Sequence, residues 1–510
     1  MSTSSEAGPP PSPADRFAST GIPGLDEIFH GGFPRHHVYL IEGDPGTGKT
    51  TLALHFLMAG AKLGERTLYV TLSESAAELR AMATSHGWSL DNVTIIELIP
   101  SEAQLNPRNQ YTFFHPEEIE LGQTVQNILH EVERVEPARL VIDSLAELRL
   151  LAQDPQRYRR QALALKQYFN GKPCTVLLLD DRTSQTQDRQ LHSVVHGVLY
   201  IERLARGYGK NRRRIEIAKL RGAPFVEGYH DCAIQTGGLV VFPRLIAAEH
   251  QAEFSRKPIS SDLPELDALL GGGLDRGSST LLLGPAGVGK TTLATRCAVA
   301  AMAQGDRVVF YTFDEGLDSI FTRADGLQMP LRKHRESGRF VIEQVDPAEL
   351  SPGEFAARVR RSVEIDKAQM IIIDSLNGYL SAMPEEQFLT LQMHELLSYL
   401  NHRGVVSMLV LAQHGLLGQM QTPVDLSYLA DSILLMRYFE AHGEVRRAVS
   451  VVKRRSSQHE QTIRELRIGG PHALSLGKAL REFRGVLTGV PEYVGREDPL
   501  LSGHDDGRRR

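Results

Sequence analysis

The stretch Gly284–Thr292, GPAGVGKTT, fits the pattern G-x-x-x-x-G-K-[ST] of a phosphate-binding loop. The same pattern occurs earlier in the chain as GDPGTGKTT, Gly43–Thr51. Each copy follows an apolar run and precedes a segment with a helical pattern, which is the context that this loop requires. The sequence therefore predicts two nucleotide sites in one chain.

Both loops belong to a longer internal repeat of about 230 residues. The lead-in TGIPGLDEIFHGGFPRHHVYLIEG before the first loop matches SDLPELDALLGGGLDRGSSTLLLG before the second. Further matched pairs are TLYVTLSES with VVFYTFDEG and RLVIDSL with MIIIDSL. Apolar strands that alternate with helical stretches are typical of a mostly parallel sheet with helices on both faces. We therefore predict an α/β fold of two tandem P-loop domains.

The composition of the chain changes at the ends of the two repeats. The N-terminal stretch is rich in Pro and Ser, a polar segment separates the repeats, and the C-terminal end is polar and basic. The predicted divisions are a disordered tail at 1–15, a first domain at 16–247, a linker at 248–256, a second domain at 257–489 and a tail at 490–510.

Charge and apolar content limit the functions to consider. The net charge of −5 over 510 residues gives no general attraction to nucleic acid or to an anionic membrane. No apolar run reaches the roughly 18 residues of a membrane span. The three cysteines have neither metal-ligand nor disulfide spacing, and no secretory signal is present. We therefore expect a cytoplasmic protein.

The two loops are expected to bind the phosphates of ATP together with Mg²⁺. Their glycines let backbone N–H groups converge on a phosphate, and the helix that follows adds its positive end. Lys49 and Lys290 should reach the β- and γ-phosphates, and Thr50 and Thr291 should place a hydroxyl on Mg²⁺. The predicted ATP-binding residues are Gly43, Gly46, Thr47, Gly48, Lys49, Thr50, Thr51, Gly284, Gly287, Val288, Gly289, Lys290, Thr291 and Thr292.

Acidic residues end four of the apolar runs. Asp143 and Asp374 stand where the acid that holds Mg²⁺, usually through water, is expected, although a strand-terminal Asp can also cap a turn. Glu74 follows the second strand of the first repeat, and Asp314 and Glu315 follow that of the second. A carboxylate here can orient or deprotonate the attacking group, so these three are the predicted catalytic residues; the alternative is an exposed strand-end acid.

Two pairs of cations lie on late strands of the repeats, at KLRG and KRRS. Alternate residues of a strand project to one face, so Lys219 points with Arg221, and Lys453 with Arg455. Such pairs suit the phosphates of a neighbouring subunit's ATP, in the manner of an arginine finger. The alternative is a solvated basic edge.

Taken together, these residues resemble the KaiC family of circadian clock proteins and their relatives. The resemblance runs from about Phe17 to about Val494 and includes HGGFP, both loops, SHGWSL, both Asp-Ser-Leu sites, KLRG and REFRGVLTGVPEYV. It implies tandem RecA-like ATPase domains in a homohexamer of two stacked rings, with ATP between neighbouring subunits. It also implies a slow ATPase in the first ring, and a serine/threonine autokinase and autophosphatase in the second.

The resemblance extends residue by residue. The family's paired catalytic glutamates correspond to Ser73 and Glu74 in the first repeat and to Asp314 and Glu315 in the second. Its cross-subunit cations correspond to Lys219 and Arg221, and to Lys453 and Arg455. Within TPVDLSYLADS the phosphorylated Ser corresponds to Ser427, a neighbouring Thr to Thr422, and Tyr428 replaces the adjacent Thr. Ser427 and Thr422 are the predicted phosphosites.

Three functions remain open at this point. The first is a hexameric KaiC homologue that hydrolyses ATP and phosphorylates itself in a clock-like, signalling or stress-response system, with a KaiB-like or other signalling partner. The second is a RecA-like recombinase or helicase, for which GYGKNRRR is the candidate DNA segment. The third is an ATP-gated scaffold without catalysis. Nucleic acid and membrane are not expected as partners of the first.

Overall fold

The computed structural model describes residues 16–98, 116–152, 154–182, 189–205, 209–381, 389–413, 428–441, 443–456, 458–469, 474–487 and 491–495. The chain forms two compact units that divide between Arg244 and Leu245. The predicted phosphosites Thr422 and Ser427 lie outside the described residues.

The first unit begins with a short antiparallel pair of strands, β1 (Phe17–Ala18) and β2 (Phe33–Pro34). Its main sheet has nine strands among the described residues, in the order β5-β4-β6-β7-β3-β8-β9-β10-β11. Pairings from β5 to β8 are parallel, and those from β8 to β11 are antiparallel. The strands are β3 (Val38–Gly43), β4 (Thr67–Thr71), β5 (Thr94–Glu97), β6 (Arg139–Asp143), β7 (Thr175–Asp181), β8 (Gly197–Leu204), β9 (Arg212–Leu220), β10 (Tyr229–Gln235) and β11 (Gly238–Phe242).

The second unit repeats this topology. Its nine described strands lie in the order β14-β13-β15-β16-β12-β17-β18-β19-β20, with β14 to β17 parallel and β17 to β20 antiparallel. A short antiparallel pair follows. The strands are β12 (Ser279–Gly284), β13 (Val308–Thr312), β14 (Phe340–Gln344), β15 (Met370–Asp374), β16 (Val406–Ala412), β17 (Ser432–Ala441), β18 (Glu444–Arg454), β19 (Arg464–Ile468), β20 (Leu474–Ala479), β21 (Phe483–Arg484) and β22 (Glu492–Tyr493).

Helices connect the parallel strands. In the first unit they are Pro23–Ile28, Lys49–Lys62, Ala76–Ser85, Pro116–Val135, Leu145–Ala152, Pro155–Phe169 and Arg189–Val194. In the second unit a 3-10 turn at Ala247–His250 precedes the helices Pro264–Leu269, Lys290–Ala303, Leu317–Gly326, Leu331–Glu336, Pro352–Glu364, Leu376–Ser381 and Leu389–His402. Within the described part of the chain, no helix combines the length and apolar composition that a membrane crossing needs.

The central strands are buried on both faces, which explains their nearly continuous apolar sequences. VYLIEG of β3 and STLLLG of β12 each have one half-buried residue and are otherwise buried. Large hydrophobic clusters flank the sheets, two in each unit. Parallel sheets need such cover on both sides. The predicted α/β fold, two tandem mostly parallel sheets with helices in the RecA-like manner, is confirmed.

A buried arginine in the first unit has no equivalent in the second. Arg139 at the start of β6 is fully buried, and its guanidinium donates to Glu65 and to the carbonyls of Ser19 (2.6 Å) and Phe56 (2.8 Å). At the matching place, the start of β15, stands the buried Met370. The same buried position is therefore occupied by an ion-paired side chain in the first repeat and by an apolar side chain in the second.

We expect the first unit to lose stability between pH 6.5 and pH 4 because of His55, on the helix Lys49–Lys62. The backbone N–H of Leu239 donates to Nε2 of His55 at 3.0 Å, so this nitrogen carries no proton. Burial, with help from His86 and Lys62, lowers the pKa of His55 from 6.5 to about 4. The unfolded chain therefore binds the extra proton first, and the stabilisation that is complete above pH 6.5 falls as the pH drops.

The measurement is unfolding in urea, monitored through the fluorescence of Trp88. Trp88 is the single tryptophan of the chain, and its ring lies 4.6 Å from that of His55. His55→Gln should reduce the difference between the midpoints at pH 7 and pH 5. The matched change His334→Gln, in the second unit, should leave the Trp88 transition as it is. An unaltered pH difference in His55→Gln would show that other groups cause it.

Candidate nucleotide sites

Each phosphate-binding loop lies between a buried central strand and a helix of 14 residues. The residue before each helix, Gly48 or Gly289, has a left-handed backbone with φ of 111° and 106°. A Cβ atom on Gly289 would lie 2.4 Å from the side chain of Ile468, so both the conformation and the space require glycine. The loop N–H groups and the positive end of the helix thus point to one place.

The two loop lysines lie over their own loops. The ammonium of Lys49 donates to the carbonyls of Gly43 (2.7 Å) and Asp44 (3.1 Å). That of Lys290 donates to the carbonyls of Gly284 (2.9 Å) and Pro285 (2.7 Å). Both side chains are buried to more than nine-tenths, so the charge of each is held where the phosphates of a nucleotide would bind.

Lys49 has an additional acidic partner that the sequence analysis missed. Oδ1 of Asp181, the last residue of β7, lies 2.6 Å from Nζ of Lys49. Ala412 ends the equivalent strand β16, and burial lowers the pKa of Lys290 from 10.5 to about 8. The acidic ending LLLDD was visible in the sequence, but its position beside Gly43 follows only from the strand register.

A threonine and an aspartate meet in each site. Oγ1 of Thr50 donates to Oδ2 of Asp143 at 3.2 Å, and the hydroxyl of Tyr69 donates to the same carboxylate. In the second site burial raises the pKa of Asp374 to about 6, against the opposing effect of a hydrogen bond with Thr291 and with a further rise from the charge of Glu315. Burial also raises the pKa of Asp143.

These donor sets fit Mg²⁺. Hydroxyl and carboxylate oxygens are its preferred ligands, and in nucleotide sites it is held by one or two protein groups together with substrate phosphates. The described residues contain no cluster of three His, Cys, Asp or Glu side chains that would hold a metal without a substrate. The arrangement is therefore suited to a metal that arrives with its nucleotide.

The predicted catalytic acid of the first site has acidic surroundings. The backbone N–H of Glu74 donates to Oγ1 of Thr71 (3.0 Å), which in turn donates to the Glu74 carbonyl (2.7 Å), so the position is fixed at the end of β4. Burial raises the pKa of Glu74, and the charges of Asp143 and Glu78 raise it further. A carboxylate in this environment is suited to accept a proton.

The two acids of the second site are both engaged. Thr312 fixes the backbone of Glu315 as Thr71 fixes that of Glu74. The carboxylate of Glu315 forms a two-pronged ion pair with Arg323, at 2.6 and 2.9 Å. The hydroxyl of Ser375 donates to Asp314. The equivalent acids of the two sites therefore have different partners.

The two cation pairs have carbonyl partners within their own units. Lys219 donates to the carbonyls of His192 and Val195 (2.8 Å), and Arg221 to that of Ser193 (3.1 Å). All three acceptors lie just before β8.

The second unit repeats this arrangement before β17. Lys453 donates to the carbonyl of Ala430 and Arg455 to that of Tyr428, each at 2.8 Å. The cations of both units therefore tie down the chain at the amino end of a central strand.

Basic residues near the first loop were also missed as part of the site. Nη2 of Arg213 donates to the carbonyl of Gly46 at 3.2 Å, and Arg214 forms an ion pair with Glu202 at 2.8 Å. Both belong to GYGKNRRR, which had been considered as a DNA-binding segment. The hairpin pairing of β8 with β9 brings this stretch to the loop, and that pairing was not predictable from local sequence.

Comparison with known proteins agrees with this architecture. A family model described as the ATPase KaiC matches residues 18–246 and 259–478. The chain is 28% identical over 493 residues to the circadian clock protein KaiC3 of Synechocystis sp., covering 95% of this chain and 96% of that protein.

It is also similar to two circadian clock oscillator proteins named KaiC. Identity is 26% over 486 residues with that of Acaryochloris marina, covering 94% of this chain and 92% of that protein. It is 27% over 483 residues with that of Prochlorococcus marinus, covering 93% and 95%. With two ATP-type loops in matching folds and the family model spanning both repeats, the chain belongs to the KaiC ATPase family.

Proposed function

We propose that the chain is a homohexameric ATPase whose second site is also a serine/threonine autokinase. The observation that carries this proposal is the pair of complete sites, each with a buried lysine over its loop and a threonine beside an aspartate. An inactive scaffold would have no need of these groups in both repeats. The protein would be cytoplasmic and act in a signalling or clock-like system with a KaiB-like or other partner.

The chemistry of the first site follows from its residues. The loop N–H groups and Lys49 bind the phosphates, which would displace the loop carbonyls from the lysine. Thr50 and Asp143 would hold Mg²⁺, which neutralises charge on the β- and γ-phosphates when bound. Glu74 orients the attacking water and accepts its proton as the water oxygen bonds to the γ-phosphorus and ADP leaves.

The second site would transfer the γ-phosphoryl group to a hydroxyl of the protein. Ser427, with Thr422 as a second acceptor, is assigned from the family pattern, and Glu315 is the acid placed to accept the proton. Tyr428 is half exposed, but its hydroxyl stands farther from the backbone than that of Thr. Because errors of about 1 Å cost on the order of 10²-fold in rate, Tyr428 should stay unmodified.

A cationic groove beside Lys219 supports the proposed contact with a neighbour's ATP. It has a volume of about 210 Å³ and is lined by His36, His37, Lys166, His196 and Arg221, among others. The rings of His37 and His196 stack at 3.7 Å. Burial, the other imidazole and nearby cations lower the pKa of His196 to about 4. The imidazoles are therefore neutral at neutral pH, and Lys166 and Arg221 are the charged groups of this lining that suit an anionic partner.

Among the described residues, no contact favours the DNA-binding alternative. The basic stretch that suggested it contacts the first loop through Arg213 and Glu202 through Arg214. Salt-dependent retention on DNA would be needed to restore this alternative.

The proposed function is tested by incubation with γ-labelled ATP and Mg²⁺, with free phosphate separated from label on the protein. We expect free phosphate from both sites, and label on Ser427 alone or with Thr422, located by mass spectrometry. Lys290→Ala should abolish the label, because the loop lysine binds the transferred phosphate. Lys49→Ala serves as the matched change in the other site. Label only on Tyr428, or none within residues 422–432, would exclude the autokinase.

Assembly is tested separately, by light scattering with saturating ATP. A ligand that binds only the assembled state stabilises it by mass action, so ATP should raise the mass from subunit to hexamer. The double change Lys219→Ala and Arg221→Ala should weaken this assembly, whereas Lys172→Ala, which removes an ammonium over the ring of Tyr168 on the same unit, should not. A mass that does not respond to ATP would contradict the ring.

A further inference from the structure

The ion pair between Glu315 and Arg323 is two-pronged, a geometry that restrains both oxygens of the carboxylate. Nη1 of Arg323 lies 2.6 Å from Oε1 of Glu315, and Nη2 lies 2.9 Å from Oε2, so both oxygens are occupied. Arg323 is on the helix Leu317–Gly326, directly after the strand end that carries the acid. Two parallel charge-assisted bonds fix the direction of a carboxylate as well as its charge.

This pair lies within the nucleotide site. The two strand ends are joined, because the backbone N–H of Phe313, two residues before Glu315, donates to the carbonyl of the proposed Mg²⁺ ligand Asp374 at 2.7 Å. The backbone of Glu315 is fixed by Thr312, which leaves its side chain as the part that can turn. Arg323 therefore acts directly on the group proposed as the proton acceptor.

The first repeat provides the internal comparison. Met82 occupies the position of Arg323, eight residues after the acid and on the helix Ala76–Ser85. It is partly buried and packs against the hydrophobic cluster. Among the described residues no cation forms an ion pair or hydrogen bond with the carboxylate of Glu74, and the charges acting on it, Asp143 and Glu78, are acidic. One repeat thus restrains its acid and the other leaves it available.

We propose that Arg323 is a positioning residue that restrains Glu315 and makes the second site a slower hydrolase than the first. The inference rests on the proposed ATPase function. A carboxylate with both oxygens held by a guanidinium is fixed in direction and cannot turn freely toward a water molecule. Bound ATP in the second site is thereby spared from hydrolysis.

An exposed ion pair without such a role would be worth little. Both side chains are about one-third exposed, and pairs of this kind typically add less than about 1 kcal/mol to stability. A purely structural role therefore predicts that removal of Arg323 leaves turnover almost unchanged. The two possibilities differ in rate rather than in stability.

The test exchanges the two repeat partners in the full-length chain, with free phosphate as the readout. In a Lys49→Ala background, which leaves only the second site, Arg323→Met should raise kcat about tenfold or more, because a general base contributes 10²- to 10⁴-fold when it is free to act. KM for ATP should change less than about twofold, since Arg323 acts through Glu315. Arg323→Lys should give an intermediate rate, because an ammonium cannot hold both oxygens in the same way.

The reciprocal change is Met82→Arg in a Lys290→Ala background, where the first-site kcat should fall. The control is Arg332→Met, which removes an exposed pair with Asp325 (2.8 Å) on the adjacent helix and should leave both rates unchanged. If Arg323→Met unfolds the unit, Arg323→Gln and Met82→Arg decide the question.

A kcat that is unchanged or lower in a folded Arg323 variant would overturn the inference. Failure of the proposed function would look different: phosphate release from the otherwise unmodified chain would not depend on Lys49 or Lys290.

Discussion

Glu74→Gln is expected to lower first-site phosphate release by about 100-fold or more, in a chain whose second site is silenced by Lys290→Ala. Glutamine keeps the shape of the side chain but cannot accept a proton from water at neutral pH. Binding of ATP should be nearly unaffected, because Lys49 and the loop N–H groups supply it. The steady-state rate and KM, measured on the full-length chain, separate the two effects.

The matched control is Glu78→Gln, four residues further along the chain, in the first turn of the helix Ala76–Ser85. Glu78 caps this helix through Ser75 and affects Glu74 only through its charge, so the rate of phosphate release should change little in the Glu78→Gln variant. Equal rates for Glu74→Gln and the parent would mean that another group activates the water. With Glu74 intact, kcat/KM should fall as the pH is lowered. The fall should start at a pH above 4.5, the ordinary pKa of a glutamate, because burial and acidic neighbours raise the pKa of this carboxyl.

The second large effect expected is on stability, from Glu65→Ala in the first unit. Removing one member of a buried pair leaves the other charge without compensation, which typically costs about 3–5 kcal/mol. Arg139 would keep its carbonyl partners but lose its only acidic hydrogen-bond partner among the described residues. The free energy of unfolding of the first unit, followed by Trp88 fluorescence, should fall by about this amount.

The second unit indicates how the loss can be repaired. Because Met370 fills the equivalent place, Arg139→Met combined with Glu65→Ala should recover the part of the stability that is lost through Arg139, but not the part that comes from the second ion pair of Glu65, with Arg35 (2.6 Å). The control Glu136→Ala removes an exposed pair with Arg66, and its expected cost is below about 1 kcal/mol. A Glu65→Ala chain as stable as the control would show that Arg139 is not held by this carboxylate.

The sequence predicted the architecture because its signals are local. Each central strand is a continuous apolar run, each loop has a fixed pattern, and the repeat places every element twice. The same is true of Lys49 and Thr50, whose places in the site follow from the loop itself. Asp143 was predicted from its position at a strand end, and it lies beside Thr50.

The partners of the site residues could not be predicted, because they come from elements that are distant in sequence. Asp181 reaches Lys49 through the register of β7 with β3. Arg139 begins an apolar strand, and nothing in the neighbouring sequence indicates that it pairs with Glu65. Arg323 is one of many helical arginines until the fold places it against Glu315. Patterns along the chain show which face a residue takes but not which side chain it meets.

The carbonyls held by the cation pairs have a consequence for ring formation. In the proposed ring, a turn of Lys453 and Arg455 toward a neighbour's phosphates would weaken their hydrogen bonds to the carbonyls of Ala430 and Tyr428. Assembly would then be an exchange of partners, with a net affinity smaller than the new contacts alone suggest. By reciprocity, a change that weakens these carbonyl contacts before β17 would raise the affinity for the neighbour's nucleotide. Loss of the nucleotide would in turn restore the carbonyl contacts.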